Sequence, residues 1–347
     1  MRTPLIVLAS LVLMSCSPTS NAPPEFIWDE QNSTVDLSLR GLAVVDSNTV
    51  WIGGPEGTVL KTINGGETWT RNSIPGAENL DLRSVHGFDE NHALFFTAGS
   101  PARLYVTHDG GQNFETVYED PSEAAFFDSL GFWDDQNGIA FSDPVDSQFH
   151  ILLTSDGGHT WSSAENLPLP LEGEAGFAAS DTSIAVAPGG TAWIGTGGAE
   201  TARMLHTEDW GQTWQAHETP LAAGTGGSGI FSVTYSLDRL IAIGGNYTDP
   251  DRMDDVAAWS DDQGEIWHTP DIGPSGYRSA VATIPGHSGH LITVGSNGTD
   301  FSMDNGETWE RISETGFHAI AFSPDGQAGW AIGSEGRIFK ITLASNR

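Results

Sequence analysis

Cysteine is nearly absent: the 347 residues contain one, Cys16, so no intrachain disulfide can brace the fold and the core must be held by burial alone. Lysine is almost as scarce. Lys61 and Lys340 stand against 46 acidic residues, and the net charge is −32. A chain this acidic lacks the clustered Lys and Arg that grip phosphate backbones, which excludes nucleic acid as a partner. The apolar run Leu5 to Met14 is too short to span a bilayer. Helical periodicity is missing throughout, and no glycine-rich loop opens a helix, so no nucleotide or other cofactor is expected. Two weak metal signals fail on chemistry. His287-Ser288-Gly289-His290 has no third ligand nearby, and Asp249 to Asp255 lacks the Gly and Glu of a calcium loop.

The first residues form a processing signal. Arg2 supplies positive charge, the apolar run follows, and Leu13-Met14-Ser15-Cys16 has the pattern of a bacterial lipobox. Cleavage before Cys16 would make the only cysteine the first mature residue and the point of lipidation, giving several acyl chains to hold the protein on a membrane. Ser17 in place of Asp favours the outer membrane. The expectation is an exported bacterial lipoprotein on the periplasmic face of the outer membrane or on the cell surface. Three regions follow: a signal peptide over 1–15, the lipidated Cys16 with a Ser/Pro-rich tether over 16–25, and one folded domain over 26–347.

What the chain has in excess is glycine and tryptophan, 42 and 12 residues, and these fall in a repeat. The pattern Ser/Thr-x-Asp/Asn-x-Gly-x-x-Trp/Phe, with Thr before the aromatic in four of the boxes, occurs six times, its shared glycine at Gly66, Gly111, Gly158, Gly211, Gly264 and Gly306. Those intervals match one four-stranded propeller blade. In each box the Asp or Asn oxygen is expected to accept turn N–H groups, the glycine to take φ > 0, and the Trp to anchor the hairpin in an apolar gap. Between boxes, alternating strands end in glycine, as in Val50-Trp51-Ile52-Gly53. A seventh repeat, Phe317 to Lys340, has no box and needs an outer strand. Phe26-Ile27-Trp28 can supply it, because Trp28 precedes Arg40 by nearly the spacing that separates Trp69 from Arg83. The fold class expected is all-β: a seven-bladed propeller of four-stranded antiparallel blades, with the N-terminal strand closing the last blade and removing a sheet edge.

Repeats can be compared within one chain. The innermost strands are read as beginning Leu39-Arg40-Gly41, Leu82-Arg83-Ser84, Phe127-Asp128-Ser129, Phe177-Ala178-Ala179, Ile230-Phe231-Ser232, Tyr277-Arg278-Ser279 and Phe317-His318-Ala319. The variable positions would ring the mouth of the central channel. Guanidinium forks bind carboxylates in two-pronged fashion. The candidate site is therefore an anion or carboxylate site in which Arg40, Arg83, Arg278 and His318 donate. Asp128 would clamp one arginine and Phe231 would form an apolar wall. The bland alternative is that these arginines pair with loop carboxylates and glue blades together.

The boxes, the Leu-Arg-x-Val inner strands and the glycine-ending middle strands together resemble the photosystem II stability/assembly factor family of Asp-box propellers. The resemblance spans about residues 26–347. It implies a seven-bladed, extracytoplasmic, non-enzymatic binding scaffold that aids assembly of another protein, with Arg40, Arg83 and Arg278 matching part of an arginine-rich surface. The stretch Gly227 to Tyr235 contains no arginine, a departure from the family's arginine-dense middle region. The expected partner is a protein or carboxylate-bearing ligand, and the expected state a monomer. Asp boxes also occur in glycoside hydrolases. A sialidase-like site built from three arginines, Tyr277 and Asp128 is the alternative, although the early Arg-Ile-Pro motif of sialidases is missing.

Overall fold

The computed structural model describes residues 24–344. Cys16, the expected signal segment over 1–15 and most of the expected tether over 16–25 lie outside them. Among the described residues every regular element is a strand, and the sheets form seven antiparallel blades. Blade one runs Gly41–Val44, Val50–Gly53, Thr58–Thr62 and Thr70–Ser73, and blades two, three, four and six repeat this order. Blade five is the exception, with three strands, Ser228–Ser236, Arg239–Asn246 and Ala257–Ser260. Its outer edge is reduced to a single bridge between Trp259 and His268.

Blade seven closes the ring as the repeat spacing predicts. Ala319–Phe322, Gly329–Ile332 and Ile338–Leu343 are joined on the outside by Phe26–Gln31, with Trp28 opposite Ile341. The Trp28 indole stacks on Phe317 at 5.5 Å and meets Phe339 edge-on at 6.5 Å. The last edge is thus paired within the chain, which prevents it from templating another strand.

Each blade is sandwiched by two neighbours, so its middle strand is buried on both faces. This is why Ala93–Ala98 is apolar at nearly every position rather than alternating. Each of the seven interfaces between neighbouring blades carries its own apolar cluster. The box physics is as expected. Ser/Thr hydroxyls accept the buried N–H of the box glycine, for example Thr62 from Gly66 at 2.9 Å and Ser302 from Gly306 at 3.0 Å. The box Asp109 also accepts the backbone N–H groups of Gln112 and Asn113. Hydrogen bonds led by the Asn113 side chain bring its carboxyl down to about 2.

Both lysines are used as cement. Lys61 donates to Gly110 O in the next blade's box at 2.8 Å while lying 4.7 Å over the Trp51 ring. Lys340 does the same to Gly65 O at 2.9 Å over Trp330 at 5.4 Å. Arg239 repeats the device toward Asn305 O over Trp259. The ammonium takes a carbonyl and the ring face together, so these side chains are fixed and unavailable to a ligand.

Candidate functional site

The channel mouth is not open. In blade four the innermost strand is Ile184–Ala187, paired with Thr191–Gly195. Phe177-Ala178-Ala179-Ser180, read from the repeat as the start of that strand, lies outside it. The aromatic-small-small pattern imitated a strand start, but the chain from 176 to 183 instead turns across the channel as a plug. Side chains and backbone of five other blades hold it. Arg40 of blade one donates to Ala179 O at 3.4 Å, and Arg83 of blade two to Ala178 O at 3.3 Å. Asp181, at φ 63, accepts Val85 N–H at 2.6 Å and Leu130 N–H at 2.9 Å, tying blades two and three. Ser183 N–H reaches Ser129 Oγ. Thr182 Oγ1 donates to Ser232 Oγ in blade five and Ser180 Oγ to Ser279 O next to blade six, at 2.7 and 2.6 Å.

Above this plug lies a cavity of about 550 Å³, within the range of small-ligand and peptide pockets. It brings together Arg40, Arg83, Asp128, Ala178, Phe231 and His318 from the repeat-equivalent positions, with Phe126, Asp143, Phe177, Tyr247 and Tyr277 added. Four rings make one wall. Phe177 stacks on Phe231 at 3.8 Å, and Tyr277 and Tyr247 meet Phe231 edge-on at 4.8 and 6.2 Å. Tyr247 is 53% exposed and stands at the entrance.

Arg278 corrects the sequence reading. Its side chain is fully buried and does not line the cavity. Nε donates to Asp300, and Nη1 donates to Tyr277 O and Asn297 Oδ1 at 2.7 Å each. A buried guanidinium needs a carboxylate, and Asp300 of the same blade supplies one. A sequence signal for this existed. Two residues before the box Ser/Thr the other blades carry Leu60, Tyr105, Leu152, Leu205 and Ala258, whereas blade six carries Asp300. Without Arg278, the three-arginine clamp of the sialidase-like alternative is not assembled around Tyr277 and Asp128.

The remaining cations differ. Arg83 is neutralised by Asp81, 2.7 Å from its Nε, and lies over Phe126. Asp81 therefore takes the clamping role that the repeat pattern gave to Asp128. Arg40 has no carboxylate within ion-pair distance among the described residues, and burial, then Arg83, lower its pKa. Its single hydrogen bond leaves most of the guanidinium unused. His318 is held neutral: burial and the nearby Arg40 and Arg83 lower it to about 3, and its Nε2 lies 3.1 Å from Ser38 Oγ and 3.0 Å from Ser334 Oγ. It cannot serve as a cation at neutral pH, but as a polar wall. Asp128 is 1% exposed, neither oxygen makes a well-formed hydrogen bond although the Ala178 N–H approaches the carboxyl, and burial, then Asp143, raises its pKa well above its ordinary value. Asp143, Asp181 and Tyr247 were not found from sequence, because nothing in the repeat register marks residues that approach from loops; Phe177 and Tyr277 were named there, but not as the aromatic wall around Phe231.

Comparison with known proteins fits this architecture. The family described as photosynthesis system II assembly factor YCF48 matches residues 21–122, a stretch that contains Arg40 and Arg83. The chain is 30% identical over 155 residues to photosystem II stability/assembly factor HCF136, chloroplastic, of Oryza sativa subsp. japonica, covering 42% of this chain. It is 28% identical over 115 residues to the protein of that name from Arabidopsis thaliana. These matches span 35% and 27% of the length of the two relatives. Among solved structures, YCF48 bound to D1 peptide superposes with a TM-score of 0.66 at 18% identity, covering 95% of this chain and 99% of that one. YCF48 from Cyanidioschyzon merolae gives 0.65 at 18%, covering 91% and 98%. Over residues 21–122 the chain is similar in sequence to photosystem II assembly factors, and it shares the β-propeller fold of the solved YCF48 structures.

Proposed function

We propose that this propeller is a binding scaffold that holds a segment of another protein at its plugged channel mouth while that protein is assembled. The observation that carries the reading is the cavity itself. A largely buried guanidinium, Arg40, shares the cavity with a wall of Phe231, Tyr247 and Tyr277 and has no carboxylate of its own among the described residues. A charge desolvated without a partner is costly, and such a residue is retained where a ligand completes it. A relative of the same fold is known bound to a peptide, which supports a protein segment as the occupant. The Leu13-Met14-Ser15-Cys16 pattern supports lipidation at Cys16 and a place on the extracytoplasmic side of a membrane.

The test is site-directed crosslinking in the native host. A photoreactive phenylalanine analogue at Tyr247 is expected to trap one defined protein, and Arg40→Ala in the same chain to abolish that adduct. An adduct unaffected by Arg40→Ala refutes the cavity as the contact. For the anchor, radiolabelled palmitate incorporation should vanish in Cys16→Ser.

A further inference from the structure

The acids of the cavity carry information that the scaffold reading does not use. Asp128 is enclosed with two unpartnered oxygens. It lies against Gly176, where even a Cβ would come within 2.3 Å of Oδ2. Beside it, Asp143 accepts Gly176 N–H at 2.8 Å through Oδ1, and burial holds its carboxyl up at about 6. Two adjacent buried carboxyls cannot both ionise cheaply, so they titrate as a pair that retains a proton near neutrality. A carboxyl that keeps its proton is a hydrogen-bond donor. Along the plug the order is fixed: the acids meet it at Gly176, Arg83 at Ala178 and Arg40 at Ala179. An O–H donor and an N–H donor therefore flank one polar floor, with the aromatic wall completing the cavity.

We propose that the cavity is a proton-coupled site for a carboxylate carried on an apolar body: the carboxylate bridges the free edge of the Arg40 guanidinium and the Asp128 hydroxyl, the body lies on Phe231 and Tyr277, and the Asp128–Asp143 pair takes up a proton as the ligand enters. This rests on the cavity being a binding site, as in the scaffold reading, and adds its ligand chemistry and its regulation. The carboxylate belongs either to a free organic acid or to an acidic group on a protein segment. The groups facing Asp143 are Asp128, Arg83, Arg40, Tyr247, Tyr277 and His318 in the cavity, and Glu172 and Glu174 in the cleft on its other side. Arg83 is paired with Asp81, Tyr277 and His318 stay neutral between pH 5 and 8, and Glu174 is paired with Arg203. Asp181 further along the plug is also raised by burial, but its oxygens are turned to the Val85 and Leu130 N–H groups and not to the cavity, so within the cavity the acid pair is what changes charge.

Calorimetry with 3-phenylpropionate tests this on the full chain. Uptake of one proton per ligand makes the affinity fall roughly tenfold per pH unit above about 6. Titrations in buffers of different ionisation enthalpy should report that proton directly in the wild type, with no variant needed. Asp143→Asn should flatten the pH dependence, Arg40→Met should abolish binding at every pH, and 3-phenylpropionamide should not bind. N-acetyl-Phe-Asp-Phe-amide forms the second arm. Proton-linked binding by the peptide and not the free acid assigns the carboxylate to a protein, and the converse assigns it to a small acid. If neither binds, if affinity is flat from pH 6 to 8, or if Asp143→Asn keeps the slope, the proposal is overturned. A Tyr247 crosslink that depends on Arg40 but not on pH would leave the scaffold standing and remove the proton coupling. Proton-linked binding without any crosslink would do the reverse.

Discussion

Asp181→Ala is the sharpest test of the plug. The Asp181 carboxylate accepts two backbone N–H groups, those of Val85 and Leu130, from two different blades. Alanine leaves both donors without a partner, at roughly 1–3 kcal/mol each. It also places a Cβ-bearing residue with no side-chain hydrogen bond at φ 63, which adds about 1 kcal/mol. The sum is about 3–7 kcal/mol, and water reaching this part-buried site would bring the result toward the lower end. Asp181→Gly loses the same two bonds but tolerates the backbone, so it should be about 1 kcal/mol milder than alanine. Asp181→Asn keeps one acceptor oxygen and should fall between wild type and glycine. Urea unfolding followed by tryptophan fluorescence measures all three. Because the plug carries the Ala178 and Ala179 carbonyls that hold Arg83 and Arg40, the alanine variant should also lose 3-phenylpropionate binding. A cost below about 1 kcal/mol for Asp181→Ala would show that the segment over 176–183 is not held as described.

Ser302→Ala removes the acceptor for the buried Gly306 N–H and should cost about 1–3 kcal/mol in urea unfolding. Trp28→Ala should lower stability by about 2 kcal/mol, less than a fully buried Trp because Trp28 is only half-buried. It should also raise concentration-dependent association in light scattering, since the outer edge of blade seven is loosened. Asp143 predicts a pH effect of definite sign. Its folded carboxyl stands at about 6, above its ordinary value, so between about pH 4 and 6 the folded state binds more protons than the unfolded. Stability from this group is therefore present below about pH 4 and lost as the pH rises through 6. Asp143→Asn should gain on wild type by up to about 3 kcal/mol more at pH 7.5 than at pH 4, read from paired denaturation curves.

The repeat and its closure were legible in the residues because their physics is local. Each box is made by hydrogen bonds spanning two to four residues, such as Thr62 to Gly66 and Asp304 to Thr308. Identical side chains at identical spacing therefore build identical turns. The count of blades and the pairing of Trp28 into the last one followed from spacing, since a ring must close. What the repeat could not decide was the fate of three arginines at equivalent positions. Arg278 found Asp300 in its own blade, whereas Arg40 and Arg83 reach carbonyls 139 and 95 residues away. Sequence determined the ring of blades, and tertiary structure alone decided what occupies its centre. A strand's neighbours are set by short-range turn chemistry, but the channel is a meeting point of seven blades, where burial and charge are settled by residues with no fixed separation along the chain.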